Sequence, residues 1–262
     1  MKVNTNGIQL NYEASGDSHG PVVVMSHSLA ATHAMWDPQM DVLKDCRIIR
    51  YDMRGHGESD APAMDYSLEM LADDLFGLMD ALEIDQAHYI GLSMGGMIGQ
   101  TAALKDQSRF LSLSLCDTSS RVPPELRGAW DERIATAQSD GMEALLEGTM
   151  ERWFSAEYME NEPEECDKVR DMIRNTKVSG FSGCCRAIQG LDLTDRISAI
   201  TVPTQMIVGE DDPGTPVAAH EVMHEKIARS ELVVIPNALH FSNVEQKDAF
   251  NDAYMGFLGK HS

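Results

Sequence analysis

The seven residues Ile90-Gly91-Leu92-Ser93-Met94-Gly95-Gly96 constrain this chain more than any other stretch. An apolar run from Ala87 to Ile90, broken only by His88, leads into them. Met97-Ile98-Gly99-Gln100-Thr101-Ala102-Ala103-Leu104 follows with helical character. Together they predict a buried strand, a sharp turn carrying Ser93, and a helix opening at Gly95. A serine on such a turn sits in strained backbone, and strand and helix nearly touch beside it. The positions two residues to either side then have no room for a side chain, which Gly91 and Gly95 satisfy. A G-x-S-x-G pentad alone arises by chance in roughly one chain in ten of this size at average glycine usage. The surrounding pattern therefore has to carry the assignment.

That pattern is an alternation of strands and helices. Asn6-Gly7 is a favoured hairpin turn, flanked by the alternating Ile8, Leu10 and Tyr12. Pro21-Val22-Val23-Val24-Met25 reads as a strand covered on both faces, and Cys46–Asp52 as another. Ser67 is a candidate N-cap. Beyond it Leu68, Leu71, Ala72, Leu75, Leu78, Met79 and Leu82 recur at helical spacing. Phe110–Cys116 is the next strand. Such alternation predicts a parallel sheet with helices on both faces. It stops near Arg121-Val122-Pro123-Pro124. From about 125 to 190 there is no convincing strand but three amphipathic stretches, Arg127–Ser139, Gly141–Phe154 and Glu164–Lys177. They read as a helical insertion over the sheet's carboxyl ends, where ligands bind in open α/β sheets. The sheet resumes with Thr204–Gly209, a helix over Val217–Ala228, the strand Leu232–Ile235 and a last helix from Lys247 to about Leu258. The division is a core of 1–121 and 191–262 with a cap of 122–190.

Composition narrows the partners. With 42 acidic and 21 basic residues the 262-residue chain carries a net charge of −21, which disfavours nucleic acid and anionic membrane. No run of about 18 apolar residues exists to span a bilayer. The start, Met1-Lys2-Val3-Asn4-Thr5-Asn6-Gly7, has no apolar leader, so a cytoplasmic location is expected. The five cysteines form no C-x-x-C pair and are read as reduced packing residues. No His/Cys spacing points to a metal.

A serine becomes a nucleophile when a histidine takes its proton and an acid holds that imidazole in the right tautomer. Behind a strand–turn–helix serine the acid and then the histidine follow in chain order. Asp212 lies in Gly209-Glu210-Asp211-Asp212-Pro213-Gly214-Thr215-Pro216, directly after one strand, and His240 lies just after the next. Both fall at the sheet edge that carries Ser93. Asp211 competes with Asp212, and Glu210 more weakly. Asp212 is preferred as the residue three beyond Gly209. His27, His56 and His88 are read as structural or surface residues. The backbone N–H groups of Met94, after the nucleophile, and Leu29, after the Val22–Met25 strand, are the expected oxyanion donors. Losing one such donor typically costs ~3–4 kcal/mol.

With those residues in place the chain resembles the α/β-hydrolase superfamily and, within it, the 3-oxoadipate enol-lactonases, almost end to end. The superfamily-wide matches are Ser26–Leu29, Asp52–Ser59, Gly91–Gly96, Gly209–Pro216 and His240. The narrower ones are Leu29–Asp37, Leu115-Cys116-Asp117-Thr118, Glu147–Phe154 and Gly180–Ile188, the last two within the insertion. The resemblance implies a mostly parallel, eight-stranded sheet with helices on both faces and an inserted helical cap. It also implies hydrolysis of a five-membered enol-lactone bearing an acetate arm, with Ser93, Asp212 and His240 catalytic and no cofactor. Arg133 and Arg152 are candidates to hold that arm, with Trp153 as an apolar wall. One departure stands out: Ser28 occupies a position where the family usually has glycine. A serine there is expected to strain the loop or reshape the pocket. A broad esterase or carbon–carbon bond hydrolase on the same three residues remains open, as does a ligand-binding protein that retains the pocket. Oligomeric state is not legible.

Overall fold

The computed structural model describes residues 1–262. It opens with the hairpin of β1 (Lys2–Thr5) and β2 (Ile8–Gly16). Its turn residues Asn6 and Gly7 both take positive φ, 45° and 78°, as a type I′ turn requires. The remaining strands are β3 (Val22–Ser26), β4 (Arg47–Tyr51), β5 (Ala87–Leu92), β6 (Phe110–Cys116), β7 (Thr204–Gly209) and β8 (Ser230–Ile235). They form one eight-stranded sheet in the order β1-β2-β4-β3-β5-β6-β7-β8. Strands β3 to β8 run parallel to their neighbours, while β2 runs against β4 and β1 against β2. Every residue of β5 and β7 is buried, as expected of strands covered on both faces.

Helix α1 (Leu68–Ala81) starts where Ser67 accepts from Met70 N–H at 3.1 Å, and it buries the predicted leucine face. It packs on α2 (Met94–Asp106), and α2 and α8 (Val217–Lys226) both meet the short 3-10 turn Ile197–Ala199. A 3-10 helix over His33–Gln39 touches the short α9 (Ser242–Glu245) and the last helix α10 (Lys247–His261), and α10 lies against β6, β7 and β8. Between β6 and β7 the chain leaves the sheet for α3 (Arg127–Asp140), α4 (Glu143–Trp153), α5 (Ala156–Asn161), α6 (Pro163–Asn175) and α7 (Val178–Gln189). Two of these five, α5 and α7, are absent from the sequence expectation. In α7 the glycines and serines of Val178-Ser179-Gly180-Phe181-Ser182-Gly183 depress helix propensity. Tertiary packing overrides it. A Cβ on Gly180 would come within 2.0 Å of the Gly55 carbonyl oxygen, so α7 rests its backbone directly on the loop after β4. One buried apolar cluster runs from the sheet into these helices, and it takes in Ile134, Leu146 and Phe181. No helix is long and apolar enough to cross a membrane.

The loop after β4 is fastened by a buried ion pair. Arg54 Nε and Nη2 donate to the two Asp74 carboxylate oxygens, each at 2.7 Å. Asn6 Nδ2 donates to the same Asp74 at 2.8 Å. The pair joins that loop, the hairpin turn and α1. Removing one partner leaves a charge buried and alone. Asp74→Ala is expected to lower the unfolding free energy by about 3–5 kcal/mol, read as a lower urea midpoint at unchanged m-value.

Candidate active site

Ser93 ends β5 and begins α2 with φ 57° and ψ −114°. A non-glycine residue pays about 1–3 kcal/mol for such a conformation and keeps it only where the surroundings fix it. Here Ser93 N–H donates to Cys116 C=O at 2.8 Å, and Thr118 Oγ1 donates to Ser93 C=O at 2.7 Å. The glycines behave as their spacing predicts. A Cβ on Gly91 would lie 2.4 Å from the Gly95 carbonyl carbon, and one on Gly95 would lie 2.4 Å from the Ser26 carbonyl oxygen.

Because β3, β5, β7 and β8 are parallel, the loops leaving their carboxyl ends share one edge. Asp212 follows β7 and His240 follows β8. His240 Nδ1 and Asp212 Oδ2 are 2.8 Å apart. The other Asp212 oxygen accepts from Gly214 N–H at 2.8 Å and Thr215 N–H at 3.1 Å, and Thr215 Oγ1 donates to Oδ2 at 2.6 Å. Of the three acids in this loop only Asp212 is buried, while Glu210 and Asp211 are exposed. Burial opposes charge on Asp212, but the His240 ring and the Thr215 hydrogen bonds outweigh it and hold the carboxyl well below the usual range. Burial likewise opposes the His240 imidazolium, and Asp212 more than offsets it, so the imidazole pKa is raised above its ordinary value near 6.5. The Ser93 hydroxyl and His240 face the same cavity of about 170 Å³ without a hydrogen bond between them. Catalytic hydrogen bonds are commonly long in unliganded enzymes and shorten once substrate is bound.

The N–H groups of Leu29 and Met94 donate to nothing in the chain, Met94 because it is the first residue of its helix. The loop bearing Leu29 is held by two histidines that are buried, not at the surface. His27 donates from Nδ1 to Ser28 C=O at 2.7 Å, and its Nε2 accepts from Met53 N–H at 2.9 Å. His56 Nε2 accepts from Ala30 N–H at 2.9 Å. Burial pushes the His27 pKa down to about 3 and that of His56 to about 4, so both are neutral and able to accept. Their role was not legible because the partners are backbone groups from a separate strand end. His88 is also buried, in β5, against Ser112 Oγ at 2.8 Å. Ser28 is not strained: the residue of this loop in the left-handed region is Ala30, at φ 61°. The departure from glycine instead adds a hydroxymethyl group to the cavity wall.

Arg133, Arg152 and Trp153 all line the cavity. Arg133 stands over the rings of Trp130 and Phe181, at 5.0 and 5.7 Å, and forms no salt bridge. Its Nε is buried without a partner. Burial, with Arg152 adding to it, lowers its pKa to about 10. Arg152 is exposed at the mouth, and its only hydrogen bond within the chain goes to Thr149 Oγ1, at 3.3 Å. Trp153 stacks on Phe241, ring centroids 4.0 Å apart.

Two acidic residues near His240 had no sequence signal for their geometry. Asp117, at the end of β6, accepts from Gly209 N–H at 2.8 Å and from Ser242 Oγ at 2.5 Å. Burial, reinforced by Asp212, pushes its carboxyl pKa well above the ordinary value. It ties the β7 end that carries Asp212 to the residue two beyond His240. Glu245 lies in α9, just after that loop.

The comparisons bear on the fold and the family. The alpha/beta hydrolase fold family model matches residues 21–247. 3-Oxoadipate enol-lactonase 1 of Acinetobacter baylyi is 32% identical over 259 residues, covering 98% of this chain and 96% of that protein. The crystal structure of the enol-lactonase from Burkholderia xenovorans LB400 superposes with a TM-score of 0.95 at 37% identity, covering 99% of this chain and 100% of that one. A malate-bound thermophilic esterase from Thermogutta terrifontis superposes at 0.93 with 31% identity, covering 100% and 99%. An eight-stranded sheet with this strand order, a strained serine between β5 and α2, and a family match across most of the length place the chain in the alpha/beta hydrolase fold family.

Proposed function

We propose that this hydrolase opens a small enol-lactone bearing a carboxylate arm, 3-oxoadipate enol-lactone, through an acyl-enzyme on Ser93. The observation that carries the reading is a charge without a counterion. Arg133 projects into the cavity that holds Ser93 and His240, and in a chain of net charge −21 it has no acidic partner. A half-buried guanidinium without one carries a desolvation cost that a bound carboxylate offsets. Arg152 at the mouth supplies a second donor, and Trp153 gives the ring an apolar wall. The volume suits a compact lactone. The enol-lactonases similar to this chain support the same substrate.

The chemistry follows from the placement of each group. Ser93 Oγ attacks the ring carbonyl as its proton passes to His240 Nε2, while Asp212 holds Nδ1–H. The oxyanion accepts from the N–H groups of Leu29 and Met94. Collapse breaks the ring C–O bond, and the departing enolate takes the proton from His240 and tautomerises to a ketone. Water then gives a proton to His240 and attacks the acyl carbon. Breaking the bond to Ser93 Oγ, which recovers the proton, releases the keto-diacid. No redox step or activated cosubstrate enters this balance. Residues 122–190 serve in this reading as the cap that selects the substrate, with Arg133, Arg152 and Trp153 as its contributions.

A broad esterase is the second reading, favoured by the esterase among the similar structures. A panel of the enol-lactone, neutral lactones and p-nitrophenyl acetate separates the two. kcat/KM is expected to be highest on the anionic lactone and to vanish in Ser93→Ala; equal rates across the panel favour the esterase. Arg133→Gln and Arg152→Ala should each raise KM for the anionic lactone roughly ten- to hundredfold, the worth of a charge-assisted hydrogen bond of about 1.5–3 kcal/mol, and leave the neutral ester unchanged. Equal losses on both substrates would refute that role. The base must be neutral to accept a proton, so activity should fall as pH drops through the His240 pKa. That midpoint in kcat/KM should lie above 6.5 and move down in Asp212→Asn.

A further inference from the structure

The loop that carries His240 is tied to the helical insertion at several points, and one side chain bridges the two. Glu245 is buried, and it has no Lys or Arg partner. Its Oε2 accepts from Leu239 N–H at 2.7 Å, immediately before His240. Its Oε1 accepts from Ser155 N–H at 2.8 Å, where Ser155 caps α5. Two further contacts run in parallel. Phe241 N–H donates to Trp153 C=O at 3.2 Å, and the Trp153 ring stacks on Phe241 at 4.0 Å and 15°. The segment Trp153-Phe154-Ser155, whose first residue lines the cavity, is therefore bonded to the residues on both sides of His240.

We infer that Glu245 is a positioning residue for the reaction: by accepting from the insertion and from the His240 loop at once, it sets the imidazole in register with Ser93 and makes that register depend on where the cap is seated. The inference rests on the Ser93–His240–Asp212 reading above. A carboxyl group suits the task because it offers two acceptor oxygens and no competing donor when ionised. Two part-buried N–H groups pointing at one side chain would otherwise lose their acceptor. Asp117 holds the loop from the opposite side through Ser242. With both in place the imidazole is gripped between the sheet and the cap. A substrate that draws Arg152 or Trp153 inward moves the same backbone that Glu245 holds.

The test is kinetic, on the full-length chain with p-nitrophenyl acetate, a neutral ester small enough to make no demand on the arginines. Active sites are counted by a fluorophosphonate probe, so that misfolded protein does not enter the rate. Glu245→Ala should lower kcat per labelled site at least tenfold while KM stays within about twofold. The groups facing His240 are Asp212, Asp117 and Arg133. A ring loosened from Asp212 loses its main positive influence, so the acid limb of the pH profile should move toward the ordinary histidine value. Glu245→Gln keeps one acceptor but sets an amide N–H against the other backbone N–H, so it should fall between the two. A kcat per labelled site within twofold of the parent, with an unmoved acid limb in both variants, would overturn the inference. A parent chain that does not label at Ser93 would overturn the serine reading itself, and this inference with it.

Discussion

The close approach of β5, the Ser93 turn and α2 is the constraint on which the rest of the structure depends. Gly91 and Gly95 let the strand and helix backbones come within what would be 2.4 Å of a side-chain carbon. That contact holds Ser93 at a positive φ. The strained turn lifts one hydroxyl clear of the sheet edge and leaves Met94 N–H unpaired beside it. The sheet's parallel register then sets the neighbours: Leu29, Asp212 and His240 meet Ser93 because their strands end at the same edge. The histidines His27 and His56, held neutral by burial, keep the Leu29 loop in place without competing as bases.

Charge organises the site on a larger scale. The chain is strongly acidic, and most of its arginines are engaged with carboxylates: Arg50 with Glu13, Arg54 with Asp74, Arg174 with Glu143, Arg186 with Asp131. Arg133 and Arg152 lack such partners and face the cavity. An acidic exterior gives no general attraction for an anionic substrate, so local guanidinium groups must supply it. The proposed lactone fits that division, since in that proposal Arg133 and Arg152 would hold its carboxylate.

Much of this was legible in the sequence because it depends on local rules. The hairpin turn follows from Asn6-Gly7, the α1 face from leucines at helical spacing, and the sheet from apolar runs separated by helices. The elbow's demand for Gly91 and Gly95 came from spacing and is met by the close backbone contacts there; spacing also favoured Asp212 over its two acidic neighbours, and Asp212 is the one of the three that is buried beside His240. What escaped depends on distant contacts. Helix α7 is poor in helix formers and stands because Gly180 fits against Gly55. Asp117 and Glu245 act through backbone N–H groups far along the chain, which no periodicity encodes. Ser28 was expected to strain its loop or to reshape the pocket; the left-handed residue is Ala30, two places on, and Ser28 lies on the cavity wall. The sequence located the loop, and only the dihedral angles show which of its residues bears the unusual conformation.

The central claim is that Ser93 is a nucleophile activated by His240. The most direct measurement is peptide mapping by mass spectrometry after treatment with a fluorophosphonate. The account predicts one phosphonyl group per chain, on the peptide containing Ser93, and almost none in a His240→Ala variant that keeps the parent's circular dichroism spectrum. An unmodified Ser93 in the folded parent, or equal labelling in parent and variant, would contradict it.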